Sequence, residues 1–228
     1  MILESKTVAR SMLRKARLTV LAHRIRMLWH KTEYEDRFSE ALLAAVRPED
    51  CVWDIGANVG FYTERLAVLT RHVIAFEPVV ENVKRIEAKV MRNVECLQIA
   101  VGDITGEASM FVDGPFSSLA LSPHPNTQRR TVRVVRGDDL TSLQQPTVVK
   151  IDVEGFEVET VRGMHRVLGG VRAVFVELHF QILEDRGMRQ APSTLVKELR
   201  SLGFDKIEWP DASHIAAFRA EWSKTDAV

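Results

Sequence analysis

Cysteine is nearly absent. Only Cys51 and Cys96 occur, each at the start of an apolar run that reads as a buried strand, so a disulfide framework is excluded and a reduced, cytoplasmic setting is expected. Net charge is absent too, because 31 basic side chains balance 31 acidic ones. That removes the broad positive field of a nucleic-acid binder, and no nucleic-acid partner is expected. Long apolar runs are missing. In the amino-terminal segment the longest uncharged apolar stretch is Leu18 to Ala22, too short to span a bilayer, and neither a full signal-peptide core nor a small-residue cleavage site accompanies it. No transmembrane helix or secretion signal is therefore expected. Repeats and low-complexity tracts are lacking as well. What is present, 46% apolar residues in a chain of 228, suits one domain of ordinary size with an unstapled core.

The balanced charge is unevenly spread. Lys6, Arg10, Arg14, Lys15, Arg17, Arg24, Arg26 and Lys31 face Glu4 alone, while Leu18, Leu21, Ile25 and Leu28 recur at steps of three and four. This predicts a basic amphipathic helix. Its apolar stripe packs on the domain or on a second subunit, or else residues 1–30 dock on an anionic membrane surface at the inner face of the membrane. A second helix is expected over Tyr34 to Val46, stopped by Arg47-Pro48-Glu49-Asp50. Residues 1–46 thus read as a helical extension and 47–228 as the main domain.

From Cys51 onward short apolar runs alternate with helical periodicity, the signature of an α/β domain with a parallel sheet. The expected strands are Cys51 to Ile55, His72 to Phe76, Glu95 to Val101, Val148 to Asp152, Val171 to Leu178, Phe204 to Trp209 and His214 to Phe218. One connection breaks the rhythm. Between Gly102 and Pro146 two extra strands, Ala108 to Val112 and Thr131 to Val135, flank turn-rich segments that include Ser122-Pro123-His124-Pro125-Asn126. An inserted hairpin and loop over the carboxyl edge of the sheet is expected, where α/β ligand sites form.

The first strand runs into Asp54-Ile55-Gly56-Ala57-Asn58-Val59-Gly60 before a helix. Gly56 and Gly60 allow close backbone approach to a ligand, and the helix supplies free N–H groups. The third glycine of the dinucleotide fingerprint is missing, and Asp54 would repel a pyrophosphate. S-adenosylmethionine carries a cationic amino group and a sulfonium instead, so Asp54 favours it over NAD. The second strand ends in Phe76-Glu77-Pro78, with Glu77 21 residues after Gly56 and placed to accept from ribose hydroxyls. Asp103, after the third strand, reads either as an acceptor for the adenine amino group or as a turn aspartate beside Gly106.

These residues resemble the FkbM-type S-adenosylmethionine-dependent methyltransferases. The matching segments are VWDIGANVGFYT, AFEP, IAVGDITGEASMFV, SSL, VRGDDL, VVKIDVEGFEVETVRG and VFVELHF, in family order from about residue 51 to 180. The resemblance implies a class I methyltransferase fold, a Rossmann-like, mostly parallel seven-stranded sheet with helices on both faces and an antiparallel seventh strand. It implies O-methylation of a hydroxyl on a sugar, glycolipid or other secondary metabolite. The cofactor set is then Asp54, Gly56, Ala57, Asn58, Gly60, Glu77, Pro78, Asp103 and Asp152. VRGDDL departs from the family's threonine-leucine before the aspartate.

Lys150-Ile151-Asp152-Val153-Glu154-Gly155 ends the fourth strand and Glu177-Leu178-His179 the fifth. Period-two geometry puts Asp152 with Glu154, and Glu177 with His179, near the carboxyl edge of neighbouring strands. Lys150 reads as a partner for one of these acids. An alcohol must lose its proton as it attacks, and His179 is the first choice for the base, oriented by Glu177 or Asp152. Asp152, Glu177 and His179 also match the ligand set of a divalent metal, manganese or zinc rather than calcium. An NAD-dependent oxidoreductase, a transferase acting on another nucleophile, and a non-catalytic binding protein stay open at this point.

Overall fold

The computed structural model describes residues 34–113, 116–118 and 128–220. The amphipathic helix expected within residues 1–31 and the turn-rich stretch at 122–126 lie outside the described residues. In chain order the elements are α1 (Tyr34–Ala45), β1 (Cys51–Ile55), α2 (Phe61–Leu69), β2 (His72–Phe76), α3 (Val80–Glu87), β3 (Val94–Leu97), β4 (Ala100–Gly102), β5 (Gly106–Asp113), β6 (Phe116–Ser118) and β7 (Gln128–Arg136). A 3-10 turn (Gly137–Asp139) leads to β8 (Val148–Ile151), α4 (Glu157–Arg162), α5 (His165–Leu168), β9 (Ala173–Glu177), α6 (Phe180–Asp185), α7 (Ala191–Ser201), β10 (Lys206–Glu208) and β11 (His214–Phe218). The chain divides into two units at Glu40 and Ala41, and among the described residues every strand lies in the second unit.

Seven strands form one sheet in the order β10-β11-β9-β8-β1-β2-β3. All neighbours run parallel except those of β11, which is antiparallel to both β9 and β10. The central strands explain themselves. Every residue of β1 and β8 is buried, and a strand covered on both faces needs a continuous apolar run rather than alternation. Lys150 and Asp54 interrupt that run, and they do so as an ion pair. Paired registers align Ile55 with Phe76 and with Ile151, and Ile151 with Val176. The carboxyl ends of β2, β1, β8 and β9 therefore share one edge.

The expected single strand from Glu95 to Val101 is two strands. β3 stops at Leu97, whose carbonyl accepts from both Glu77 N–H and Ile99 N–H, and the tight turn redirects the chain. β4 then pairs in parallel with β7 in a second sheet of order β4-β7-β5-β6. The hydrophobic run hid this break because Ile99, Ala100 and Val101 stay buried after the chain has turned. The inserted hairpin is longer than expected, with β5 and β7 antiparallel over seven paired positions. Val79, Met110 and Val132 pack into a cluster, which anchors the hairpin beside the end of β2.

The first aspartate of VRGDDL has a structural role. Asp138 is buried, and its Oδ1 accepts from the N–H of Arg166 at 2.9 Å and of Val167 at 3.0 Å. These are first-turn amides of α5, which have no intrahelical partner.

Candidate active site

The turn after β1 is forced by packing. Gly56 has φ +78, and a Cβ there would lie 1.7 Å from the carbonyl oxygen of Asp152. No side chain fits. The Gly56 and Ala57 N–H groups both donate to Phe76 O, at 3.0 and 3.1 Å, so the turn is tied across the sheet edge to the end of β2. Asn58 follows in the left-handed region at φ 50, and Gly60, at φ 83, precedes α2.

Between this turn and the hairpin opens a narrow cleft. The glycine turn after β1 stands in the middle of its lining, with Glu77 and Pro78 after β2 on one side and Asp152 and Glu154 after β8 on the other. Its apolar wall includes Phe76, Val101 and Met110. Glu77 is 4% exposed and is held by three donors: Asn58 N–H on Oε2 at 2.9 Å, Val79 N–H on Oε1 at 2.9 Å, and the Asn82 amide on Oε1 at 3.3 Å. Burial pushes its carboxyl up to about 7, against the pull of those donors and of the Lys150 charge.

Four expected cofactor residues do not line the cleft. Ala57 is buried and Gly60 packs toward Ile86, so both shape the turn. Asp103 stands beyond the end of β4, outside the lining. The placement of Asp54 corrects the reading of it as an attractant for a cationic ligand. Its side chain is wholly buried and takes Thr63 Oγ1 at 2.6 Å and Lys150 Nζ at 3.2 Å. A carboxylate neutralised locally by an ammonium has little field left for a ligand.

Lys150 is the hub. From β8 it reaches Asp54 and Asp152, each at 3.2 Å, and Gly56 O at 3.2 Å. Burial alone would lower its pKa, but the charges of Asp152 and Asp54 raise it, so it stays an ammonium. It thereby ties the glycine turn to the acidic end of the cleft.

At that end the chain passes from β8 through Asp152, Val153, Glu154 and Gly155 into α4. Glu154 has φ 51 and Gly155 φ 92; a non-glycine residue there is strained and persists only when its surroundings hold it. Arg186 supplies part of the hold by donating to Gly155 O. His179 begins α6 among the acids. Its Nδ1 meets Glu157 Oε1 at 2.8 Å, and its Nε2 lies 3.1 Å from Glu154 Oε2 and 3.7 Å from Asp152 Oδ1. Burial would lower the imidazole pKa, yet the charges of Glu154, Glu157 and Glu177 hold it well above the ordinary range. Carboxylates thus stand at both ring nitrogens of His179, and the ring itself does not line the cleft. Glu154, which does line the cleft, is better placed than His179 to meet an acceptor hydroxyl. Burial raises Glu154 to about 7 and raises Asp152, each opposed by a neighbouring cation.

Glu177 is not in this group, contrary to the expected ligand set. Its Cα partner across the antiparallel pair is His214, whose Nε2 lies 3.3 Å from Glu177 Oε2 while its Nδ1 meets Asp211 Oδ1 at 2.7 Å. Burial works against the Glu177 carboxylate, but the His214 hydrogen bond and the nearby cations outweigh it and lower the pKa to about 2. His214, Asp211, Glu157 and Asn82 were all missed by sequence reasoning. Glu157 and Asn82 carried a signal, since each lies five residues after a named acid and in the first turns of the following helix. His214 and Asp211 carried none.

A family model described as Methyltransferase FkbM domain matches residues 54–206. The chain belongs to this family. The resemblance of the motifs is thereby borne out, and the NAD-dependent alternative falls. Hexuronic acid methyltransferase AglP of Haloferax volcanii is 31% identical over 148 residues, which cover 60% of this chain and 59% of that protein. The FkbM chain thus spans about three-fifths of that relative's length. The crystal structure of methyltransferase FkbM from Methylobacillus flagellatus superposes with a TM-score of 0.53 at 16% identity, over 76% of this chain and 44% of that one. SMU.1697c of Streptococcus mutans, solved in complex with S-adenosylhomocysteine, gives 0.53 at 11% identity, over 82% of this chain and 98% of that one. At such identities the two structures show the fold, an α/β methyltransferase fold with a mostly parallel sheet. Among the described residues no helix is long and apolar enough to cross a membrane.

Proposed function

We propose that this FkbM-family chain is an S-adenosylmethionine-dependent O-methyltransferase whose acceptor is a hydroxyl of a sugar-type molecule. The observation that carries the reading is one cleft with two chemically different ends on the same sheet edge. One end has a buried glutamate gripped by backbone N–H groups, and a glycine turn that no Cβ fits stands in the middle. The other presents two carboxylates backed by a histidine. These residues fit S-adenosylmethionine: Glu77 would accept from the ribose, Gly56 and Asn58 would let the backbone approach, and Phe76, Val101 and Met110 would face the adenine. When bound, that cofactor supplies an electrophilic methyl group on sulfur.

The chain's own residues do the rest. Asp152 and Glu154 line the cleft and accept hydrogen bonds from an acceptor hydroxyl, and Glu154 takes its proton as the new carbon–oxygen bond forms. His179 fixes the Glu154 carboxylate from behind, and Glu157 fixes the ring. The sugar class rests on AglP, named a hexuronic acid methyltransferase, and on the suitability of paired carboxylates for hydroxyl groups.

The test is calorimetry with S-adenosylhomocysteine, followed by mass spectrometry of products from a panel of uronic-acid and neutral glycosides. We expect cofactor binding and a gain of one methyl group on an acceptor oxygen. Glu154→Gln should lower turnover by about 10²- to 10⁴-fold, the span of a general base, with cofactor affinity nearly unchanged. Turnover within a few-fold of the parent would remove Glu154 from the mechanism.

A further inference from the structure

We infer that Asp152, Glu154 and His179 form a site for one divalent cation at the acceptor end of the cleft. Each residue offers one ligand atom, and the three atoms lie within 4.8 Å of one another. Their spacing is close to that around a shared ion. Metal–ligand bonds of roughly 2.0–2.2 Å place adjacent ligands roughly 2.8–3.6 Å apart in octahedral or tetrahedral geometry; His179 Nε2 lies 3.1 Å from Glu154 Oε2, inside that range, and 3.7 Å from Asp152 Oδ1, just beyond it. The donors are mixed, one imidazole nitrogen and two carboxylate oxygens, which suits a first-row transition ion such as Mn²⁺ better than Ca²⁺.

The surroundings are those of a ligand histidine. Glu157 meets Nδ1 at 2.8 Å and leaves Nε2 directed at the two carboxylates, the arrangement by which an outer carboxylate orients a metal-binding ring. Glu157 is itself wholly buried, and its Oε2 has no hydrogen-bond partner. A buried carboxylate left half-satisfied beside two others points to positive charge that His179 alone does not supply. Lys150 does not supply it either, because it is shared between Asp152 and Asp54.

The consequence for the reaction rests on the methyl-transfer reading. Asp152 and Glu154 line the cleft, so open positions on the ion face the acceptor. A hydroxyl oxygen bound there is acidified, as metal-bound water is. Its O–H bond breaks with the proton passing to the second oxygen of Glu154, the oxygen–methyl bond forms, and the methyl–sulfur bond breaks with its electron pair staying on sulfur. No redox change occurs.

The experiment uses the full chain, stripped with chelator and titrated with Mn²⁺ alone. Free ion is followed by electron paramagnetic resonance, and S-adenosylhomocysteine binding is measured on the same samples. We expect one Mn²⁺ per chain. Binding should weaken more than tenfold in His179→Asn and in Glu154→Gln, and about 10- to 100-fold in Glu157→Gln, which removes only the outer carboxylate. Glu177→Gln should stay within about twofold of the parent, since that carboxylate belongs to His214. Circular dichroism confirms that each variant is folded. Absence of Mn²⁺ binding in a parent that binds S-adenosylhomocysteine would overturn the cation site and leave the methyl-transfer reading standing. Binding unchanged in both His179→Asn and Glu154→Gln would place any ion elsewhere and overturn it equally. Failure to bind either ligand would overturn both.

Discussion

Proton and cofactor should compete for Glu77. A carboxylate offers about four lone-pair sites, and in this structure Asn58 N–H, Val79 N–H and the Asn82 amide occupy three. The remaining site, on Oε2, is where a ribose O–H would bind and also where a proton would sit. Burial sets the free-protein pKa at about 7, so roughly a tenth of the chains are ionised there at pH 6 and roughly nine-tenths at pH 8. Affinity for S-adenosylhomocysteine should therefore rise about tenfold between pH 6 and pH 8 and level off above. The contribution of Glu77 to the stability of the free protein should move the opposite way. With the native pKa raised from 4.5 to about 7, the folded chain binds more protons than the unfolded chain across that window. This contribution is then fully present below about pH 4.5 and declines by about 3 kcal/mol as pH reaches 7. Calorimetry at pH 6, 7 and 8, in buffers of different ionisation enthalpy, reads the first effect and the proton released on binding. Glu77→Gln should abolish the pH dependence and weaken binding at pH 8 by about 10- to 100-fold, the loss of one hydrogen bond to a charged group. Equal affinity of the parent at pH 6 and pH 8, or an unchanged slope in Glu77→Gln, would refute the assignment.

Two further predictions concern the scaffold that holds the cleft. Lys150→Met leaves Asp54 and Asp152 uncompensated in the interior and should cost about 3–5 kcal/mol, read as a melting temperature lower by about 10 °C; adding Asp54→Asn should recover part of it, and a Lys150→Met variant that melts with the parent would mean the pair is not ionised. Asp138→Ala removes the acceptor for the Arg166 and Val167 amides and should cost about 1–3 kcal/mol, with faster hydrogen exchange at Val167 than in Asp138→Asn, which keeps one acceptor oxygen; equal exchange in the two variants would show that the cap contributes nothing.

How far the sequence could be read depends on which interactions are local. The strands β1, β2, β8 and β11 were legible because burial on both faces demands continuous apolar runs, and each run has sharp polar ends. The glycine turn and Glu77 were legible because strand-to-helix turns have fixed lengths. The break after Leu97 was not, since two strands in series look like one when the turn between them is made from Gln98 and Ile99 without glycine or proline. Charge partners were the hardest to read. Asp54 looked like a ligand attractant from its position at the turn, but its register partner on β8 is Lys150, and side chains paired across adjacent strands meet before any ligand arrives. The same logic took Glu177 away from His179: period-two alternation put both at the right edge, but His214 stands opposite Glu177 on β11, 37 residues later in the chain. Glu154 shows the reverse case. Strict alternation beyond the end of β8 does not apply to it, because the left-handed pair Glu154-Gly155 turns the chain toward α4. That turn also sets the second glutamate of the motif, Glu157, behind His179. The motif's two glutamates thus approach one ring from opposite sides, Glu154 on Nε2 facing the cleft and Glu157 on Nδ1 facing the core. The spacing between them is set by the turn that separates strand from helix.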